Sequence, residues 1–337
     1  MPGTILYTQV RGGGERIEEF PADEITYGFR HNRAGAISFN LALDHSKTIQ
    51  ANIEEGVHEV GIERAGTEVF IGPVLTVKED DSANTLSVGG EGLMAHLRRM
   101  HITETLAFSI STDDQFDIAR ALIDHHQNKG GGDFGVDTSA VTTSGRKRDR
   151  TYLREAQKNI YDAIIELSEV DDGFDFDFNP LDRKFDLFYP KRGRRRTDIV
   201  FDRRNIRRFE RQRDATGQGS QIIGEFADDL IVNAQHSGAV DKYGLTQRVI
   251  VHKDVTVVAT ATDHVTDALR VWRDVPNLIV LTVNTTDPQL FTYELGDEVK
   301  VKWDSKYDTV NEFQRLIGFD VIWTAAKEEA VLYLEPL

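Results

Sequence analysis

Apolar residues in the first hundred positions fall on a period of two. Ala36-Ile37-Ser38-Phe39-Asn40-Leu41-Ala42-Leu43 alternates cleanly, placing Ile37, Phe39, Leu41 and Leu43 on one face of a half-buried strand. Similar units occupy 57–62, 68–77 and 85–88. They are separated by Glu63-Arg64-Ala65-Gly66 and by Glu79-Asp80-Asp81-Ser82-Ala83-Asn84, both turn compositions. Strands this short at such regular spacing predict a barrel or sandwich. Past Gly89-Gly90, the spacing of Leu93, His96 and Leu97 predicts a short helix over 91–99.

The middle of the chain changes period. Asp113 or Asp114 is placed to cap a helix over 115–127, with Phe116, Ala119, Leu122 and Ile123 on one stripe and Gly130-Gly131-Gly132 as its stop. A second helix is predicted over 153–170, burying Leu153, Ala156, Ile160, Ile164 and Leu167. Between them, the polar, basic stretch 138–150 reads as a loop or mobile arm. Phe174, Phe176 and Phe178 then alternate with aspartates, and Phe185, Leu187 and Tyr189 answer them across Asn179-Pro180-Leu181-Asp182. That is a β-hairpin whose Asp175 and Asp177 are expected to face solvent.

An arginine-dense stretch covers 191–213, followed by strand patterns at 221–226 and 230–235 and a helix over 264–274. Four terminal strands at 277–284, 298–303, 315–323 and 330–334 are enough for a second barrel. No strong internal sequence repeat is visible. The predicted fold class is α+β and β-rich. Residues 1–105 form one β-barrel domain, 106–220 a helical insert with a β-hairpin, and 221–337 a second barrel carrying the helix at 264–274.

Composition narrows the function. At 337 residues the chain holds more than one core. No window approaches the run of roughly 20 apolar residues that a spanning helix needs, so no membrane insertion is expected. The first 20 residues have no basic, apolar and small-residue succession, so a chain made in a cytoplasm is expected. Zero cysteines remove disulfides, thiolate metal sites and cysteine nucleophiles together. A net charge of −16 opposes general attraction to nucleic acid or anionic lipid.

The carboxy-terminal half resembles the tail-hub proteins of long-tailed bacteriophages (minor tail, baseplate-hub or tail-tip proteins). The matching elements come in the family's order: Asn205-Ile206-Arg207-Arg208-Phe209, then Tyr243-Gly244, then the helix at 264–274, then Leu295-Gly296-Asp297-Glu298-Val299. The amino-terminal half matches through 36–43, through Phe70-Ile71-Gly72-Pro73-Val74 and through 88–99. The resemblance implies two tail-tube-like β-barrels per chain and a homotrimer that presents six similar domains. Such a ring mates a sixfold tail tube or distal tail ring with a threefold spike or receptor-binding apparatus for host attachment. It further implies a virion location at the tail tip or baseplate, contact with a tape-measure protein, and a lumen that passes phage DNA without binding it specifically.

Several constellations of residues bear on chemistry. Leu295-Gly296-Asp297 and Tyr243-Gly244 read as turns and packing positions. Arg194, Arg195, Arg196, Arg203, Arg204, Arg207 and Arg208 read as an ion-pair surface between subunits, because acidic residues interrupt the run and few aromatics interleave it. Acidic segments such as Glu79-Asp80-Asp81 and Asp171-Asp172 suit it as partners. Asp171, Asp172, Asp175 and Asp177 lack a calcium-loop geometry, and His125-His126 are helix neighbours that cannot share one zinc. No metal, cofactor or catalytic residue is expected. Gly-x-Ser-x-Gly and His-Glu-x-x-His are absent, so a non-enzyme is predicted. Abundant carboxylates, with Trp272, Trp303 and Trp323 as sugar platforms, keep a monomeric carbohydrate-binding or wall-degrading protein as the alternative.

Overall fold

The computed structural model describes residues 3–253 and 255–337. Seven strands come first: β1 (Thr4–Val10), β2 (Arg16–Phe20), β3 (Glu24–Arg30), β4 (Ala36–Ala42), β5 (His58–Arg64), β6 (Thr67–Asp80) and β7 (Thr85–Glu91). β4 buries Ile37, Phe39 and Leu41 and exposes the residues between, as the alternation requires. The expected helix after β7 is a 3-10 turn, Leu93–Arg99.

The middle region holds β8 (Leu106–Phe108), α1 (Gln115–Gln127), β9 (Arg150–Tyr152), α2 (Ile160–Ser168) and the hairpin β10 (Asp175–Phe178) with β11 (Phe185–Phe188). α1 has its expected bounds, with Asp114 Oδ1 accepting from the Phe116 amide at 2.9 Å. α2 starts seven residues later than expected. Gln157 sits at φ +43°, which breaks the helix, and Asn159 caps a fresh start by accepting from the Tyr161 amide. The stretch 138–150 is pinned and not an arm: Thr143 and Ser144 donate to Asp114, and Arg148 donates to the carbonyls of Asp171 and Asp172.

The rest comprises β12 (Arg195–Phe201), β13 (Ile206–Arg213), β14 (Gln221–Phe226), β15 (Ile231–Gln235), α3 (Ser237–Tyr243), β16 (Gln247–His252), α4 (Val258–Trp272), β17 (Asn277–Asn284), β18 (Glu298–Asp304), β19 (Thr309–Thr324) and β20 (Glu328–Pro336). A 13-stranded sheet runs β13-β17-β20-β19-β3-β4-β7-β6-β5-β1-β2, with β18 on β19 and β12 on β18.

The expected boundary at 220/221 needs correction. β12 and β13, assigned by expectation to the middle region, belong to the terminal sheet. Residues 221–252, assigned to the second barrel, form a separate sheet β15-β14-β16 covered by α4. The reason is packing. Ile222, Phe226, Ala261 and Val265 bury one another in a small core of their own. The amino- and carboxy-terminal strands instead share one core, where Phe29 meets Phe319 at 4.7 Å and Phe291 at 6.0 Å between ring centroids.

Candidate assembly interface

The ladders show a duplication that the residues do not. Six amino-terminal strands lie in the order β3-β4-β7-β6-β5-β1, and six carboxy-terminal strands in the order β13-β17-β20-β19-β18-β12. Matched in this way, the strands also follow one another along the chain in the same succession. In each unit a single long strand changes partner midway. β6 pairs with β5 through Thr67–Pro73 and with β7 through Val74–Asp80; β19 pairs with β18 through Thr309–Arg315 and with β20 through Gln314–Trp323. Both carry a one-residue bulge against the third strand, between Val74 and Thr76 and between Leu316 and Gly318. The units differ at one end, where β1 runs antiparallel to β5 and β12 parallel to β18.

The two units join edge to edge. β19 pairs antiparallel with β3 from Gly318↔Arg30 to Thr324↔Glu24. The Arg30 guanidinium clamps the Asp320 carboxylate at 2.7 and 2.9 Å, and the Tyr333 hydroxyl donates to the same carboxylate at 2.8 Å. Asp320 lies across Gly28, where a Cβ would sit 1.8 Å from its Oδ1. A second clamp, Arg64 on Glu328 at 3.0 and 2.8 Å, ties β5 to β20.

Two buried carboxylates fasten the middle region to this sheet. Glu59 is fully buried and accepts both arms of Arg183 at 2.9 and 3.0 Å, with His96 at 3.1 Å and Gln9 at 3.1 Å. Burial alone would raise its pKa, but the hydrogen bonds from His96 and Arg183 outweigh that and hold it at about 2. Asp175 accepts from Arg315 on β19 at 2.5 Å, from the Arg192 amide at 2.6 Å and lies 3.1 Å from His31 Nε2. Burial likewise opposes its charge, and His31, Arg315 and the amide hold it at about 2. Asp175 is 7% exposed, which corrects the expectation that it faces solvent. On the hairpin's polar side, Arg315 of β19 and His31, just past β3, cover Asp175, while Asp177 stays half-buried. The sequence pattern assigns Asp175 to solvent and does not single out Glu59. Its strand, His58–Arg64, carries other charges as well, so the sequence holds no clear signal for the burial of Glu59.

The arginines of 194–208 lie just before β12, on β12, on β13 and in the turn between the two strands, with partners in their own chain. Arg195 bonds Glu298 at 2.7 Å, Arg196 bonds Asp198 at 2.7 Å, and Arg204 bonds Asp202 at 2.8 Å. Arg203 donates to the Asp304 carbonyl and stacks over Trp303, Arg207 pairs with Glu329, and Arg208 pairs with Glu210. Arg194 gives its amide to Asp297 Oδ1 at 2.9 Å. Asp297 also accepts from the Glu294 amide, so Leu295-Gly296-Asp297 is a turn that anchors the start of β12. Tyr243 ends α3, and Gly244 at φ +81° turns the chain toward β16.

Asp177 pairs with Arg192, and His125 Nε2 accepts from Lys129 Nζ at 2.9 Å. Trp303 stacks on Phe209 at 5.2 Å, Trp272 lies under the Arg248 guanidinium at 4.6 Å, and Trp323 packs on the main core.

The sequence matches no protein-family model and no curated protein. Solved structures do match it in fold. A tail protein from Neisseria meningitidis MC58 has a TM-score of 0.66 at 14% identity, covering 99% of this chain and 97% of that one. The 43 kDa tail protein of prophage MuSo2 from Shewanella oneidensis also has a TM-score of 0.66, at 13% identity, covering 98% of each chain. An Escherichia coli protein, described as a component of the type VI secretion system with structural similarity to phage T4 tail proteins, has a TM-score of 0.53 at 9% identity, covering 98% of this chain and 76% of that one. At these identities the likeness is one of fold: β-rich, and shared with phage tail proteins.

Proposed function

We propose that this chain, which shares its fold with phage tail proteins, is a structural hub of a phage tail tip or baseplate. In this reading three copies form a ring, and the two like units of each chain supply six similar barrels. One face of the ring meets a sixfold tail tube or distal tail ring, and the other meets a threefold spike or receptor-binding apparatus. The observation that carries the reading is the duplicated six-strand order with its paired bulges. A chain holding two equivalent units has the construction that lets threefold and sixfold symmetry coexist in one closed ring. The half-buried clamp Arg30–Asp320 and the buried clamp Arg64–Glu328 support it, since the two units must keep a fixed mutual tilt for the ring to close.

No residue is assigned a catalytic role, and phage DNA crosses the lumen without a specific site. The arginine-rich β12–β13 corner contributes to contacts between subunits. Deleting the chain's coding sequence from its phage and imaging the particles tests the reading. The expected outcome is heads with no completed tail, restored by supplying the chain in trans. Complete tails in its absence contradict it.

A further inference from the structure

The strand ladder between the two units is made by the second half of the long strand. Residues Gly318–Thr324 of β19 carry β20 on one side and β3 on the other. The β6 residues Thr76–Asp80, equivalent to Gly318–Ile322, pair with β7 alone among the described residues, and the equivalent of β3, which is β13, pairs with β17 alone. One edge of each is therefore unpaired. Thr76, Lys78 and Glu79 on the first and Arg207, Arg208, Glu210, Gln212 and Arg213 on the second are exposed.

Resting on the ring reading above, we propose that the Thr76–Asp80 edge of β6 pairs antiparallel with β13 of a second copy of this chain. The contact repeats between subunits the β19–β3 junction found within one subunit. Bulge residue Leu75 corresponds to Ile317, and following the ladders through β7 and β4 and through β20 and β17 makes Tyr27 correspond to Arg211. Because Val321 faces Tyr27 within the chain, Glu79 faces Arg211 of the neighbouring copy.

Charge selects this pairing over its rivals. The β6 edge ends in Glu79-Asp80-Asp81. On β13, Arg211 and Arg213 share the single carboxylate of Asp308 at 2.7 and 2.6 Å, and Arg207 shares Glu329 with Lys327. Two cations per carboxylate leave that edge with surplus positive charge. Acidic edge against acidic edge and basic against basic are both repelled, so open edges that otherwise invite self-pairing accept only the opposite one. Such a head-to-tail contact closes into a ring when its rotation divides a full turn, which the ring reading requires.

The chain has no cysteine, which makes a disulfide test clean. Cross-strand neighbours lie at Cα distances of roughly 4.5–5.5 Å, within disulfide range. A Glu79→Cys, Arg211→Cys protein under mild oxidant is expected to give covalently linked dimers and closed trimers on a non-reducing gel. Lys78→Cys with Arg211→Cys, whose side chains leave opposite sheet faces, is expected to give none. Glu79→Arg, at an exposed position, should weaken self-association by about 10-fold while leaving the melting temperature of the monomer unchanged. A trimer by native mass that forms no Glu79→Cys, Arg211→Cys link overturns the ladder and leaves the ring standing. A protein that remains monomeric at every concentration overturns both.

Discussion

The Gly296 amide donates to the Leu316 carbonyl at 2.8 Å, and the first unit repeats the bond with the Gly56 amide on the Val74 carbonyl, also at 2.8 Å. Both glycines have positive φ, +87° and +77°, and both acceptors immediately precede a bulge. The chain turns at each glycine to start a new strand, and the long partner strand is pinned where it bends. Gly296 tolerates no side chain: a Cβ would stand 2.4 Å from the Arg192 carbonyl oxygen. Gly296→Ala is therefore expected to destabilise the fold by about 1–3 kcal/mol, read as a lower urea midpoint. Gly66→Ala, at φ +80° with open space around it, isolates the backbone part of the cost.

Removing one partner of a buried clamp leaves the other uncompensated. Arg183→Met strands the buried Glu59 carboxylate, and Asp175→Asn strands Arg315. Each is expected to cost about 3–5 kcal/mol, measured by chemical denaturation. Arg204→Ala, whose side chain is 81% exposed, should change stability by under about 1 kcal/mol.

The same two carboxylates set the acid limit. Both are held at about 2, below ordinary carboxylate values near 4. A depressed folded-state pKa contributes stability that is complete above the unfolded value and disappears as pH falls through the folded one. Stability should thus be lost between about pH 4.5 and pH 2, and the loss should shrink in Asp175→Asn. A urea midpoint constant from pH 7 to pH 2.5 contradicts this assignment.

How far the sequence reaches is visible element by element. α1 was legible to the residue because an aspartate cap and a 3.6-residue apolar stripe coincide at its start. The hairpin at 175–188 was legible too, but not the burial of Asp175. Alternation distinguishes two faces of a strand and assigns the polar one to water, whereas here Arg315 and His31 cover it. The duplication left no sequence repeat because it resides in ladder order, two bulges and two glycine turns. Gly56-Val57-His58 and Gly296-Asp297-Glu298 share only the glycine. The split at 221 was missed because a strand pattern does not reveal which sheet the strand joins. Of the arginine surface, the positions were legible and the intrachain partners were not, since Glu298, Asp308 and Glu329 lie far along the chain.

Native mass spectrometry across a range of protein concentrations tests the central claim most directly. Two equivalent units per chain predict a closed assembly of three 38.0 kDa chains and no larger species. A monomer at every concentration, or a closed dimer, contradicts it.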